Sequence, residues 1–487
     1  MLNFNLKFIY CFFTLILLGF SYIVYDHFDL LNFIKLQTSL IFLIIPILYY
    51  FKFLNKAYEA PLIPFFSTYL IISYIFPFGF FEPDMFETYI NICMNKDLAV
   101  PLSINPQDAA LCNEKDQEFL SKLINIILII CFVFFSGFIL SRVVVNFIKF
   151  NFKIIDVEKT KNIKIFTLIL IIVIFFKKFI FVGHIPIISQ SMIPLSYLMS
   201  GLCCYLFVKE KNFLLKMLLL SPILVIVLKD IIDGYISFPL MISFYSLVLY
   251  FIFSQRFPII PIFIVFILIN VAHVYKYEYR KNISFKENIS YSEKLKIYKK
   301  TAATIYANKK FEQNIIDNLQ RVAHPVHSLA IIVKSTPEKV PYWGGSSYKI
   351  FLTKFIPRVF WKNKPSDQIG NLAGKRYNVL GSHDVGTSWN LPVINEFYAN
   401  FGAKGVVLGT FLVGFIFSII GVLLRSSSSS NILTIFGMIF VFKLFFLESH
   451  FSMIFGNFIQ NFILLLFLVG ILNFKKIINV KSTISNK

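Results

Sequence analysis

The chain has 487 residues, of which 57% are apolar, 18% aromatic and 15% charged, where an ordinary soluble domain carries about 25% charged and about 45–50% apolar residues. That composition excludes a soluble enzyme or a secreted domain, and apolar runs that are continuous rather than alternating exclude a β-barrel. The formal net charge of +21, from 47 Lys and Arg against 26 Asp and Glu, would suggest nucleic acid in a soluble protein; in a membrane chain the placement of the basic residues reports orientation instead, and no nucleic-acid partner is expected.

A span takes about 20 apolar residues. Runs of that kind fall near residues 8–24, 37–54, 61–81, 123–148, 163–183, 186–208, 213–229, 236–254, 257–274, 402–424, 432–448 and 455–474. The expected fold is an all-α polytopic membrane protein with about twelve transmembrane helices. The first run reads as a retained span, since a second follows closely and no small-residue cleavage site stands at Tyr22–Asp26. With a cytoplasmic N-terminus, the inner segments collect Lys7, Lys52, Lys56, Arg142, Lys149, Lys153, Lys159, Lys161, Lys164, Lys209, Lys211, Lys216, Arg256, Arg425, Lys475, Lys476 and Lys481, while the short outer loops hold few basic residues. Both termini are then cytoplasmic. Residues 1–274 form a bundle of nine spans, 275–401 a large external loop, and 402–487 the last three spans with a cytoplasmic tail.

The outer loop 82–122 is acidic and carries Cys93 and Cys112, which could form a disulfide in an oxidising compartment or remain two free thiols. Cys11, Cys131, Cys203 and Cys204 lie inside apolar runs, where cysteine behaves as a small hydrophobe. The cysteines show no metal-binding spacing, no internal repeat is seen, and Ser426–Ser430 is the one low-complexity stretch.

The external loop is far longer than a connection needs, and loops of that size usually carry function. Ser290 and Glu293 form a capping box, after which Tyr291, Leu295, Tyr298, Ala302 and Ile305 recur at helical spacing. Phe311, Ile315, Ile316 and Leu319 predict a second helix. Tyr348, Phe351, Leu352, Phe355 and Ile356 predict an interfacial helix that ends before Pro357. A polar, Gly-rich run continues through Gly370, Gly374, Gly381 and Gly386 to Glu396 and Gly402, where a span begins. Gly370-Asn371-Leu372-Ala373-Gly374-Lys375-Arg376 is not a P-loop, having three residues between the glycines and Arg at its end. His324-Pro325-Val326-His327 has a metal-like spacing, but the proline is expected to prevent a regular helix presenting both rings together, so no metal site is expected. Gly344-Gly345-Ser346-Ser347 lacks the Gly-x-Ser-x-Gly pattern of a nucleophile elbow.

The order Gly344-Gly345-Ser346-Ser347-Tyr348, Ile356-Pro357-Arg358, Trp361, Lys364-Pro365, Thr387-Ser388, Glu396-Phe397-Tyr398, Asn400-Phe401-Gly402 and Gly405 resembles the oligosaccharide repeat-unit polymerases, the Wzy-type O-antigen polymerases, over roughly residues 320–410. The resemblance implies a GT-C-like inverting glycosyltransferase that joins undecaprenyl-pyrophosphate-linked oligosaccharides on the outer face of the bacterial inner membrane. Its partners would be that lipid-linked oligosaccharide, membrane lipid and, as an option, a chain-length regulator; no cofactor is implied. An O-antigen ligase is the alternative within this chemistry. A lipid-linked oligosaccharide flippase is the alternative from another class, but a carrier should show two related halves and this chain does not.

Such a transfer expels a lipid pyrophosphate, and fixed cations must meet the growing negative charge. Arginine suits this, since its planar fork pairs two phosphate oxygens and never deprotonates. Arg358 is the first candidate because it comes directly after the interfacial stripe, at headgroup level; Arg321, Lys362, Lys364, Lys375 and Arg376 are further cations. The acceptor hydroxyl needs a general base, for which His383, Asp384 and Glu396 are candidates. Tyr398 and Asn400, in the same motif, are substrate-binding candidates. Lys177, Lys178 and Lys443 sit inside spans, where charge is costly and often functional. Counting 1.5 Å per residue puts all three roughly 18–20 Å from the inner edge, where they are expected to line one cavity open to the outer leaflet.

Overall fold

The computed structural model describes residues 28–53, 62–80, 114–147, 160–177, 186–254, 291–307, 323–354, 363–423 (except 366) and 448–456, together with isolated positions at 14–24, 260–279, 356, 361 and 435–439. Among the described residues every regular element is helical. In chain order they are α1 (Leu30–Phe53), α2 (Leu62–Leu70, continued by a π turn Ile71–Ile75 and Pro77–Phe80), α3 (Glu114–Phe147), α4 (Thr160–Phe175), α5 (Pro186–Lys209), α6 (Phe213–Ile232) and α7 (Ser237–Ser254). The second half of the chain holds α8 (Tyr291–Ala307), α9 (His324–Ser335), α10 (Lys349–Thr353), α11 (Ile369–Arg376) and α12 (Val393–Leu423).

Six described helices are long and apolar enough to cross a membrane: Leu30–Tyr50, Leu62–Gly79, Glu118–Val145, Met192–Lys209, Ser237–Ser254 and Val393–Val422. The chain is thus a helical membrane protein. α6 falls outside that set because Lys216, Lys229 and Asp230 interrupt its apolar run, and the apolar part of α4 is shorter, Ile163–Phe175. Leu168, Ile169 and Ile172 of α4 and Leu214, Leu218 and Leu228 of α6 face outward, as lipid-facing side chains do where hydrocarbon replaces water.

The helices pack in two groups. In one, α3 runs between α1 and α12, with α2 against both α1 and α12. The α3–α12 contact is close because glycine stands at the crossing on both helices: a Cβ on Gly137 would strike the Phe411 carbonyl, and one on Gly414 the Phe134 carbonyl. Small residues at such a crossing let backbones approach where dispersion is the main attraction. In the other group α5 packs on α4, α6 and α7. Phe65 of α2 and Phe244 of α7 join the two groups edge to face, with centroids 4.7 Å apart.

Contacts at the helix ends tie neighbouring segments together. Lys164 pairs with Glu210 at 3.8 Å, and the Arg142 guanidinium lies over the Tyr49 and Phe138 rings. Asp233, just past α6, pairs with Lys294 of α8 at 2.7 Å and with Lys229 at 2.6 Å. Phe28 meets Phe78, and Lys334 of α9 lies over Phe119.

α8 matches the predicted periodicity, whereas the predicted helix around 311–319 and the Ser290 cap lie outside the described residues. The interfacial helix is shorter than its apolar stripe: a 3-10 turn at Ser346–Tyr348 leads into the five-residue α10. α9 departs from the expectation drawn from its proline. Pro325 stands in its first turn, where the missing N–H leaves no bond unmade, so the proline starts the helix rather than breaking it. His324 Nε2 then bonds the Asn390 carbonyl at 3.0 Å. His327 points into the core, where burial pushes it down to about 3 and keeps it neutral.

Candidate functional site

α12 is two helices rather than one. Gly402 has φ +62° and ψ −148°, which breaks the helical path, and the arm 393–401 folds back along 403–423. Phe397 therefore lies against Gly405 and Gly409, where any Cβ would collide with it. Gly402 itself is held close to the Tyr342 hydroxyl and ring.

The end of the first arm has carbonyls with no partner inside the helix, and the Gly344-Gly345 turn supplies their donors. Trp343 N donates to Ala399 O at 3.0 Å and Gly344 N to Asn400 O at 3.2 Å, while Gly345 N donates to Asn400 Oδ1 at 2.8 Å. Gly344 and Gly345 both take positive φ, 56° and 84°, a conformation open to glycine at little cost. Asn400 Nδ2 donates onward to Ser347 Oγ and to Glu396 O, both at 2.8 Å. Ser347 Oγ donates to Glu396 Oε1 at 2.6 Å, and Phe451 N donates to Glu396 Oε2 at 2.6 Å. Glu396 and Asn400 are fully enclosed. Two motif segments some fifty positions apart thus form one hydrogen-bonded unit.

That unit also fixes the chain at 450–456. Beside the Phe451 amide, His450 Nε2 bonds Asp367 Oδ1 at 2.7 Å. Asp367 Oδ2 accepts from Lys354 Nζ at 2.8 Å and from Ser452 Oγ at 3.0 Å. Burial pushes the Asp367 carboxyl up, but His450 and Lys354 outweigh it with hydrogen bonds and charge, holding Asp367 well below the usual carboxylate range. The Lys354 stem fits because Gly456 presents no side chain to it. Tyr348, Phe351 and Phe455 surround Phe451 with ring centroids 5.2, 5.4 and 4.5 Å away. Asp367, His450 and Lys354 keep side-chain exposures of 13%, 9% and 19%, so this group is largely buried but less completely enclosed than Glu396.

Of the residues singled out in the sequence, Glu396 and Asn400 meet in the cluster, and Tyr398 is buried on the same arm. Asp384 is elsewhere: its carboxylate caps its own turn, accepting from Gly386 N at 3.0 Å and Thr387 N at 2.8 Å. His383 lies exposed in that turn. Arg376 Nη2 donates to Pro341 O at 2.7 Å with the guanidinium over the Trp343 ring, and Lys364 Nζ donates to Ile356 O at 2.8 Å. Gly370 and Gly374 are packing glycines, since Ser388 and Trp389 fill the space beside one and Leu380 and Trp389 that beside the other. Lys177 is half-buried just past α4. Arg358, Arg321, Lys178, Lys443, Cys93 and Cys112 lie outside the described residues. Among the described residues no three His, Cys, Asp or Glu side chains converge as metal ligands.

Sequence reasoning missed Asp367, Lys354 and His450. His450 carried a usable signal, as a histidine in the very short turn between two apolar runs. Asp367 carried almost none, being one acid in a Pro- and Gly-rich stretch whose partner lies 83 positions away.

The helices define a polytopic helical membrane protein, and the buried polar unit ties Glu396 and Asn400 of α12 to the 343–347 and 450–452 segments. A model for the family described as a domain of unknown function (DUF8712) matches residues 106–480, most of the chain, and the chain belongs to that family. No curated protein and no solved structure matches it.

Proposed function

We propose that this protein is a membrane glycosyltransferase that polymerises undecaprenyl-pyrophosphate-linked oligosaccharide repeat units into a surface polysaccharide, with inversion at the anomeric carbon. The full protein has about twelve spans, a GT-C-like arrangement, both termini in the cytoplasm, and the 275–401 segment on the outer face of the bacterial inner membrane. One observation carries the reading. The segments 344–348 and 396–402, which bear the resemblance to Wzy-type polymerases, interlock through Ser347, Glu396 and Asn400 next to the Asp367, His450 and Lys354 group.

The roles divide by environment. Glu396, with both oxygens occupied and no exposure, anchors the arm 393–401 to the 450–456 segment, and Asn400 holds the Gly344-Gly345 turn. Arg358 and Lys364 meet the leaving pyrophosphate, where a planar guanidinium pairs two oxygens at once. Lys177, Lys178 and Lys443 would draw the same anion toward the bundle from the outer leaflet.

Loss of the gene tests the function. A strain lacking it should display its surface glycan as single repeat units, and complementation should restore the ladder. Absence of every repeat from the final acceptor would point to a ligase or flippase and overturn the reading, as would an unchanged ladder.

A further inference from the structure

We propose that Asp367 and His450 form the proton-accepting pair of the transfer reaction: His450 Nδ1 takes the proton of the acceptor sugar hydroxyl, and Asp367 orients the imidazole through Nε2. The inference rests on the polymerase reading above. Geometry favours this pair over the other acids and bases of the region. Glu396 is sealed, with Ser347 Oγ and Phe451 N on its two oxygens. Asp384 is spent on the amides of its own turn, and no hydrogen bond among the described residues orients His383.

His450 is positioned twice over. The Nε2 contact to Asp367 Oδ1 at 2.7 Å makes Nε2 the donor, because a carboxylate can only accept, and this leaves the Nδ1 lone pair with no partner among the described residues. The adjacent Phe451 amide is fixed to Glu396 Oε2, so the backbone that carries the ring cannot drift. Asp367 in turn is held by Lys354 Nζ and Ser452 Oγ. The charged groups facing the imidazole are Asp367 directly, Glu396 from α12 and Lys354 across the Asp367 carboxylate.

The atoms balance. The acceptor hydroxyl oxygen bonds to the anomeric carbon of the donor repeat unit, and the bond from that carbon to the pyrophosphate oxygen breaks with its electron pair leaving on the pyrophosphate. The hydroxyl proton passes to His450 Nδ1 and then to water.

The test uses the full-length protein in nanodiscs with a lipid-linked repeat unit, reading the rate of oligomer formation for the parent, His450→Ala, His450→Gln and Asp367→Asn. Size exclusion and thermal unfolding establish that each variant is folded. A lost general base costs about 10²–10⁴-fold in rate. The expected result is a loss of that size in both His450 variants. Imidazole should restore His450→Ala, with rates that track base strength across substituted imidazoles. Asp367→Asn should lower kcat with little change in KM, because the ring keeps its basic nitrogen but loses the acceptor that orients it. A folded His450→Ala that polymerises within a few-fold of the parent, or whose lost rate no imidazole restores, would overturn the assignment. If the parent itself makes no oligomer, the polymerase reading fails rather than the assignment of the pair.

Discussion

Glu396 offers the sharpest test of how the cluster is held. Its Oε1 and Oε2 accept from Ser347 Oγ and Phe451 N at 2.6 Å each, in a fully enclosed position. In Glu396→Ala the Phe451 N–H cannot turn away, and a buried donor left without its acceptor costs about 1–3 kcal/mol. Ser347 can rotate its hydroxyl and loses less, while the missing methylene adds about 0.8 kcal/mol. The variant should therefore be less stable by about 2–4 kcal/mol. Glu396→Gln keeps the shape: its amide oxygen can serve Phe451 N while the NH2 faces Ser347 Oγ, so only one bond and the charge assistance go, at about 1–2 kcal/mol. The chain's 3 tryptophans, Trp343, Trp361 and Trp389, all lie in the segment this cluster organises, so intrinsic fluorescence during thermal or denaturant unfolding in nanodiscs reads the right part of the molecule. The reasoning fails if Glu396→Ala is as stable as the parent, or if Glu396→Gln is the more damaging of the two.

Two further perturbations probe the frame around the site. Gly402→Ala places a Cβ against Tyr342 at φ +62°, a strain of about 1–3 kcal/mol before any collision is counted; it should lower the unfolding temperature and loosen the arm 393–401 in hydrogen exchange, and unchanged exchange would contradict the fold-back. Asp233 joins α6 to α8 through Lys229 and Lys294. Burial raises its carboxyl, but the hydrogen bonds and charges of the two lysines hold it below the ordinary range, so the link is fully present above the unfolded carboxylate value of about 3.9 and is lost as pH falls through the lower folded value. Acidification from pH 7 to pH 5 should leave α8 protected, whereas Asp233→Asn at pH 7 should speed its exchange about tenfold, the equivalent of one charged hydrogen bond of about 1.5 kcal/mol. Equal protection in the two proteins would sink that account.

The apolar runs were the most legible part, because a membrane-spanning helix must be apolar along about 20 residues and leaves little room for ambiguity. α8 was legible for the same kind of reason, its Tyr291, Leu295 and Tyr298 repeating at helical spacing. The motif glycines announced turns but not their target: that Gly344 and Gly345 cap the arm ending at Asn400 depends on a fold-back at Gly402, and a reversal inside an apolar helix has no periodicity of its own. α9 was hidden by Pro325, since proline marks a helix start as readily as a helix break and the residues before it, Val322 and Ala323, hold no side-chain cap. Asp367, Lys354 and His450 were hidden by distance. Their chemistry depends on which side chains burial brings together, and Glu396, the acid that did stand out in its motif, is fully enclosed with both oxygens occupied.

Arg358 belongs to the Ile356-Pro357-Arg358 motif that follows α10 in the sequence, and its role bears on the central claim through the reaction itself. The most direct measurement gives the purified, correctly inserted protein a lipid-linked repeat unit and resolves the products by size and by anomeric configuration. The account predicts a ladder of lipid-linked oligomers with an inverted new linkage, slowed about 10²–10³-fold in Arg358→Ala, as expected when one strong transition-state contact is removed, and slowed measurably in Arg358→Lys, which keeps the charge but not the fork. Folded parent protein that leaves the repeat unit unchanged, or that moves it intact to a different acceptor, would contradict the account.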